Sequence, residues 1–115
     1  MAVNSVRTEI IQFTGDISTS LSFASAPNVN SPGMVDVFSL GVGDNLIAPP
    51  SNAVAATIIP PNGNVNIIKL KGQAADTGIP VSKVNPMTIA FDNPATANFI
   101  LNCTVITPGV RIIWS

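Results

Sequence analysis

The sequence predicts an all-β fold: a single-domain antiparallel β-sandwich or barrel over residues 1–115, with about eight or nine short strands and jelly-roll or immunoglobulin-like connectivity. Three observations lead to this prediction. Ten prolines and eight glycines cut the 115 residues into short segments. No segment shows sustained helical periodicity, and the segments between the cuts alternate polar and apolar residues with a period of two.

The first half of the chain contains four predicted strands. They are VRTEIIQF (6–13), STSLSFAS (18–25), MVDVFSL (34–40) and NLIAPP (45–50). The second strand alternates serines with larger side chains, which is typical of a strand with one buried face. The proline pair that ends the fourth suits an edge strand or the exit from a sheet. A single helical turn is predicted around residues 51–55.

The second half begins with ATIIPPNGNVNIIKLKG (56–72), which is predicted to form two strands joined by a tight turn. Asn62 and Gly63 lie in this turn, because Asn-Gly is a strong hairpin signal. After a polar stretch over 72–86, three closing strands are predicted: MTIAF (87–91), NFILNCTVI (98–106) and VRIIWS (110–115). Alternation places large side chains on one face of each of the last two, so we expect these residues in the core or in a subunit interface: Phe99, Leu101, Val110, Ile112 and Trp114.

The low charge content excludes several classes of partner. Only 10% of residues are charged, the net charge is −1, and the five cations are scattered. A nucleic-acid partner is therefore not expected, because such proteins carry a basic patch. No apolar run reaches the length of about 18 residues that a membrane helix needs, so no membrane partner is expected. Arg7 and Glu9 interrupt the N-terminal segment, so a signal peptide is not predicted.

The residue types needed for most enzymes and metal sites are missing. The chain has no histidine and one cysteine, Cys103. The commonest general base and metal ligand, a disulfide framework and a multi-cysteine metal site are thus excluded. Cys103 lies in the middle of a predicted strand on its apolar face, so we expect a buried, unreactive thiol. We predict a non-enzymatic protein with no catalytic residue, no cofactor and no metal.

The tripeptide Asp76-Thr77-Gly78 matches the catalytic turn of aspartic proteases. Those enzymes bring two such turns together so that two carboxylates share a proton. In that family the motif lies near the start of each subunit, after an apolar strand. Here it follows Gly72-Gln73-Ala74-Ala75, and residues 79–115 are too few for a flap and a second supporting loop. The better interpretation is a surface turn, with Asp76 capping backbone amides and Gly78 at positive φ.

Calcium and carbohydrate are two further candidate ligands. Asp36, Asp44, Asp76 and Asp92 carry suitable oxygens for calcium, but no D-x-D-x-D spacing occurs. Sugar-binding modules present exposed rows of Trp and Tyr, whereas this chain has one Trp and no Tyr. A binding module for carbohydrate or a host surface stays open as an alternative function. Its polar cluster would lie in the loops 27–33, 61–66 or 92–97.

A weakly charged surface rich in Asn, Ser, Thr and Pro favours association. Such a surface packs against another protein at little desolvation cost, because no charge has to be buried. The chain also offers few of the lysines that usually protect the edge strands of a sandwich from pairing with other chains. Both features are typical of a protein that works inside an assembly.

The C-terminal half carries a resemblance to a known group of proteins. KGQAADTGIPVSKVNPMTIAF (71–91) and NFILNCTVITPGVRIIWS (98–115) combine a polar DTGIPV loop, an Asn-Pro pair and three closing strands that end in a tryptophan. With the low charge and the strand-turn alternation, this pattern resembles small all-β virion structural proteins of tailed phages, such as head-decoration, head-fibre and tail-associated subunits. The resemblance implies a homo-oligomer, trimers included, in contact with major capsid or tail proteins. It also implies a virion location after synthesis in the host cytoplasm.

Overall fold

The computed structural model describes residues 7–13, 19–25, 34–92 and 98–115. Within these residues the chain is all-β, as predicted, with ten strands and no helix. The strands are β1 (Arg7–Phe13), β2 (Thr19–Ser25), β3 (Met34–Leu40), β4 (Gly43–Ile47), β5 (Ala55–Ile59), β6 (Ile68–Lys71), β7 (Ile79–Pro80), β8 (Met87–Ala90), β9 (Phe99–Cys103) and β10 (Thr107–Trp114). This part of the chain accordingly offers no helix that could cross a membrane.

Eight of the strands form two four-stranded antiparallel sheets. One sheet has the order β3-β10-β5-β8 and the other β4-β9-β6-β7, while β1 and β2 pair separately. The pairs β3–β10, β4–β9, β5–β8 and β6–β7 are nested inside one another along the chain. Together, the four nested pairs form one long antiparallel ribbon. Two further pairings, of β10 with β5 and of β9 with β6, fold this ribbon into the two sheets. This is the jelly-roll connectivity, which strand prediction alone could not separate from the immunoglobulin-like alternative.

The core lies between the two sheets. Alternate residues of β10 point inward, so Val110, Ile112 and Trp114 are fully buried. From the opposite sheet, Phe99 and Leu101 meet them. The Phe99 and Trp114 rings are 6.2 Å apart, and the Trp114 Nε1 donates to Asp36 Oδ2 at 2.9 Å. All five residues expected in the core or at a subunit interface therefore lie in the core.

The hairpin predicted at Pro61-Asn62-Gly63 is wrong, although a turn is present. The Asn64 N–H donates to the Pro61 carbonyl at 3.1 Å, and Gly63 has a φ of 67°. Asn62 does not share this positive φ, whereas the hairpin-forming type I′ turn needs it at both central residues. The turn therefore sends β5 and β6 into different sheets instead of pairing them.

Two smaller expectations also differ from the structure. The helical turn predicted around 51–55 is a single hydrogen-bonded turn, in which the Ala53 N–H donates to the Pro50 carbonyl at 3.2 Å before β5 begins. The polar stretch 72–86 contains the additional strand β7. It consists of only two residues and pairs with β6 alone, so it has no length over which alternation could be detected.

Candidate functional site

Four loops meet at one end of the sandwich. Because the nested strands alternate in direction, the β3–β4, β5–β6, β7–β8 and β9–β10 connections all leave the sheets at the same end. They comprise residues 41–42, 60–67, 81–86 and 104–106. Two hydrogen bonds agree with this placement: the Asn64 Nδ2 donates to the Lys83 carbonyl of the β7–β8 loop at 2.9 Å, and the Asn66 Nδ2 donates to the Thr107 Oγ1 at the start of β10 at 3.3 Å.

These loops expose large apolar side chains. Eleven large hydrophobic residues are exposed within the described side chains, and six of them lie on these four loops. We call these six the apical surface: Val42, Val65, Ile67, Val84, Val105 and Ile106. Val65 is the most exposed, at 76%. Side chains of this kind clustered at one place on a small protein are typical of an interaction site.

Polar side chains within and next to the apical loops hold these loops in position. The Asn45 Nδ2 lies within hydrogen-bond distance of the Gly41 and Leu101 carbonyls, at 2.9 and 3.1 Å, which ties the β3–β4 turn to β9. Asn64 bonds to Asn66 and to the Lys83 carbonyl, and the Ser82 Oγ accepts from the Asn85 N–H at 2.9 Å. The loops therefore need little ordering when a partner binds, which reduces the entropic cost of binding.

The apical loops contain a single charged residue, Lys83. A partner that covers this end therefore has few ions to desolvate, and burial of the apolar side chains supplies the main driving force. The outer face of the β3-β10-β5-β8 sheet has a similar character. It exposes Val35, Val37 and Ile113, with Arg111 as the one charged side chain that its strands direct outward.

The Asp76-Thr77-Gly78 turn lies at the opposite end, in the β6–β7 connection. Asp76 Oδ2 accepts hydrogen bonds from the N–H groups of Gly72 and Gln73, at 3.0 and 2.9 Å. Gly78 has a φ of 91°. A Cβ at this position would lie 2.9 Å from the Lys71 Cγ, so the turn packs tightly over β6. Asp76 and Gly78 thus serve the turn geometry expected for them.

Lys71 connects this turn to the outer face of the β4-β9-β6-β7 sheet. Its side chain is only 8% exposed, and its Nζ donates to Asp44 Oδ1 at 2.9 Å and to the Ala74 carbonyl at 2.9 Å. The Asn102 Nδ2 donates to the same Asp44 oxygen at 2.7 Å. No sequence pattern indicates this arrangement, because the three side chains come from β4, β6 and β9, which are far apart along the chain.

No protein-family model, curated protein or solved structure matches this chain. The function of this chain is therefore inferred from the geometry of the described residues.

The aspartates proposed above as possible calcium ligands are not brought together. Asp36 accepts from Trp114, Asp44 from Lys71, and Asp76 caps its own turn. The residues that the structure describes contain no group of three or more acidic, histidine or cysteine side chains able to hold a metal ion. Cys103 is buried, and this burial raises the pKa of its thiol. A reactive thiolate is thus disfavoured at neutral pH.

The loops named for carbohydrate binding lie only partly in the described structure. Residues 27–33 and 93–97 fall outside it. In the loop 61–66, the Asn64 amide donates to the Lys83 carbonyl and the Asn66 amide to the Thr107 hydroxyl, so both amides already have partners within the protein. Trp114 is fully buried, and Phe38, Phe91 and Phe99 pack in or against the core. Among the described side chains, none of these rings is placed to stack on a sugar.

Stability is expected to decrease in acid because of two carboxylates. Hydrogen bonds from Lys71 and then from Asn102 lower the pKa of Asp44 below its usual 3.8, and those from the backbone of Gln73 and Gly72 lower the pKa of Asp76. A carboxylate with a lowered pKa stabilises the folded state fully above its unfolded pKa, and this contribution disappears as the pH falls through the folded pKa. The urea concentration at the unfolding midpoint should therefore decrease when the pH is lowered below about 4.

Asp44→Asn is the matched variant for this titration. The substitution removes the titrating group while keeping the side-chain shape, so the acid decrease in the urea midpoint should become smaller than in the wild type. An unchanged acid decrease in both Asp44→Asn and Asp76→Asn would mean that other groups cause it.

Proposed function

We propose that this protein is a non-enzymatic structural subunit of a phage particle, of the capsid-decoration or tail-associated kind, which works by self-association and by contacts with a lattice of major capsid or tail proteins. The observation that carries the proposal is the apical surface. Six exposed apolar side chains stand on four loops that hydrogen bonds hold in place, with one charge among them. Such a surface suits permanent burial against a protein better than recognition of a polar ligand.

The jelly-roll connectivity supports the same proposal in a weaker way. Double-sheet jelly rolls occur in viral capsid proteins, but also in lectins and enzymes. Fold alone therefore does not choose between these classes. The chemistry of the site favours the structural role, since the described aromatic rings are in or against the core and the aspartates have separate structural partners.

Particles purified from the organism that carries the gene test the proposal directly. We expect peptides of this chain in density-banded particles, in a constant ratio to the major shell or tail protein across the band. A chain that stays entirely in the soluble fraction while particles form would contradict the proposal. Binding of the soluble chain to defined sugars on a glycan array, without incorporation into particles, would establish the carbohydrate-binding alternative instead.

Variants of the apical surface test whether it makes the lattice contact. Val65→Glu with Ile106→Glu should reduce incorporation into particles by about tenfold or more, because two carboxylates would have to be desolvated in the interface. Both side chains are exposed, so the fold should be unaffected. Leu46→Glu is the control, since Leu46 is similarly exposed but lies on β4, four residues from the nearest apical loop residue. Equal incorporation of all three proteins would show that the lattice contact lies elsewhere.

A further inference from the structure

Strand β3 has a free edge within the part of the chain that the structure describes. It is the first strand in the order β3-β10-β5-β8, so among the described strands it pairs with β10 alone. Alternate residues of a strand direct their N–H and C=O groups to opposite sides, so about half of these groups in β3 point away from β10. Seven residues make β3 the longest of the four edge strands in the two four-stranded sheets.

The usual means of protecting such an edge are largely missing from β3. Its sequence, MVDVFSL, contains no proline and no lysine. Its one charged residue, Asp36, faces inward. An inward charge is one of these means, but this carboxylate already accepts a hydrogen bond from Trp114 and would stay paired if the edge were covered. The outward side chains Val35 and Val37 are apolar and exposed, Val37 at 69%. By contrast, the edge strand β7 has two residues, one of them Pro80.

Arg111 disfavours a face-to-face contact in which two copies would stack the outer faces of this sheet against each other. It lies on the central strand β10, opposite Val37, and points to the outer face. Stacking two copies face to face would bury two guanidinium groups. The only acidic residue on the four strands of that sheet is Asp36, which faces inward. Burial of unpaired charges is strongly unfavourable, whereas pairing through the edge leaves Arg111 in water.

We infer that β3 pairs antiparallel with β3 of a second copy, which joins two β3-β10-β5-β8 sheets into one eight-stranded sheet across a two-fold axis. Full overlap of the seven residues places Val37 opposite its own copy and Val35 opposite Ser39. Asp36 then lies opposite Phe38, so no like charges face each other. This contact rests on the proposed function and deepens it, since it names the surface through which the subunit associates with itself.

The first test is the absolute mass in solution, measured by light scattering after size exclusion over a range of concentrations. The wild type should have the mass of two chains. Val37→Lys should weaken the dimer by about tenfold or more, because two lysines would lie directly opposite each other. Ile79→Lys is the control, a similarly exposed position on β7, and should leave the dimer unchanged. Circular dichroism should show that both variants are folded.

The second test fixes the register by cross-linking. Val37→Cys should form a disulfide-linked dimer under mild oxidation, since opposed residues of paired strands lie within disulfide range. Val35→Cys faces Ser39 of the other copy and should cross-link far less. The native Cys103 is buried and gives little background.

The outcomes separate this contact from the proposed function. A trimer, a dimer that Val37→Lys leaves intact, or equal cross-linking at positions 35 and 37 would overturn the β3 contact alone. A monomeric wild type would overturn the β3 contact and self-association in solution together, while incorporation into particles would still decide the structural role.

Discussion

Replacing Trp114 with alanine is expected to lower the free energy of unfolding by about 3–5 kcal/mol, the loss typical of removing a large buried aromatic side chain. The side chain is fully buried between the two sheets and packs against Phe99. Its removal would leave a cavity and would also leave the Asp36 carboxylate without the Nε1 donor. Urea unfolding followed by circular dichroism measures the effect.

Two further variants divide this loss into packing and hydrogen bonding. Trp114→Phe keeps an aromatic ring but removes the Nε1 donor, so it should cost less than Trp114→Ala. Asp36→Asn keeps the tryptophan and an oxygen acceptor, so it should have a small effect. If Trp114→Ala cost no more than Asp36→Asn, the tryptophan would not be part of a tightly packed core.

Replacing Gly78 with alanine is expected to cost about 2–4 kcal/mol, although the residue lies in a surface turn. Two effects add. A φ of 91° is strained for any side chain, and the new Cβ would lie 2.9 Å from the Lys71 Cγ and 3.1 Å from the Lys69 Cβ. The turn would have to shift away from β6, and its shift would disturb the bond between Lys71 and the Ala74 carbonyl. The same urea unfolding measurement applies.

Gly63→Ala is the matched control for this substitution. Gly63 also has a positive φ, 67°, but no atom outside its neighbouring residues lies within 4 Å of an added Cβ. It should therefore show the backbone strain alone, about 1 kcal/mol. Equal losses for the two alanine variants would mean that the contact with Lys71 is unimportant.

The strands of the sandwich were largely predictable because each is a local pattern. MVDVFSL (34–40) matches β3 residue for residue, and the alternation in VRIIWS correctly identified Val110, Ile112 and Trp114 as one face. Strand order was not predictable, because pairing between β3 and β10 leaves no local signal. The hairpin expected at Asn62-Gly63 failed for the same reason: a turn signal does not state which sheet the next strand joins.

The apical surface could not be predicted from the sequence either, because pairing between strands that are distant in sequence brings its residues to one end of the sandwich. Val42, Val65 and Val84 each look like an isolated apolar residue within a polar loop, which is common on protein surfaces. Val105 and Ile106 were predicted to lie in the strand 98–106, whereas β9 ends at Cys103. Only the nested connectivity brings them together. Lys71 was similarly indistinct: in sequence it was one of five scattered cations, whereas in the structure it is buried against Asp44.

The nested connectivity also has a consequence for how the chain folds during synthesis. The innermost pair, β6–β7, is separated by one short loop, whereas Met34 at the start of β3 pairs with Trp114 near the end of β10. Contacts between residues so far apart in sequence are slow to form, because the intervening chain loses entropy when its ends meet. During synthesis, β3 therefore stays without its native partner until β10 has left the ribosome. Chaperone binding in this interval would keep β3 from pairing with other nascent chains.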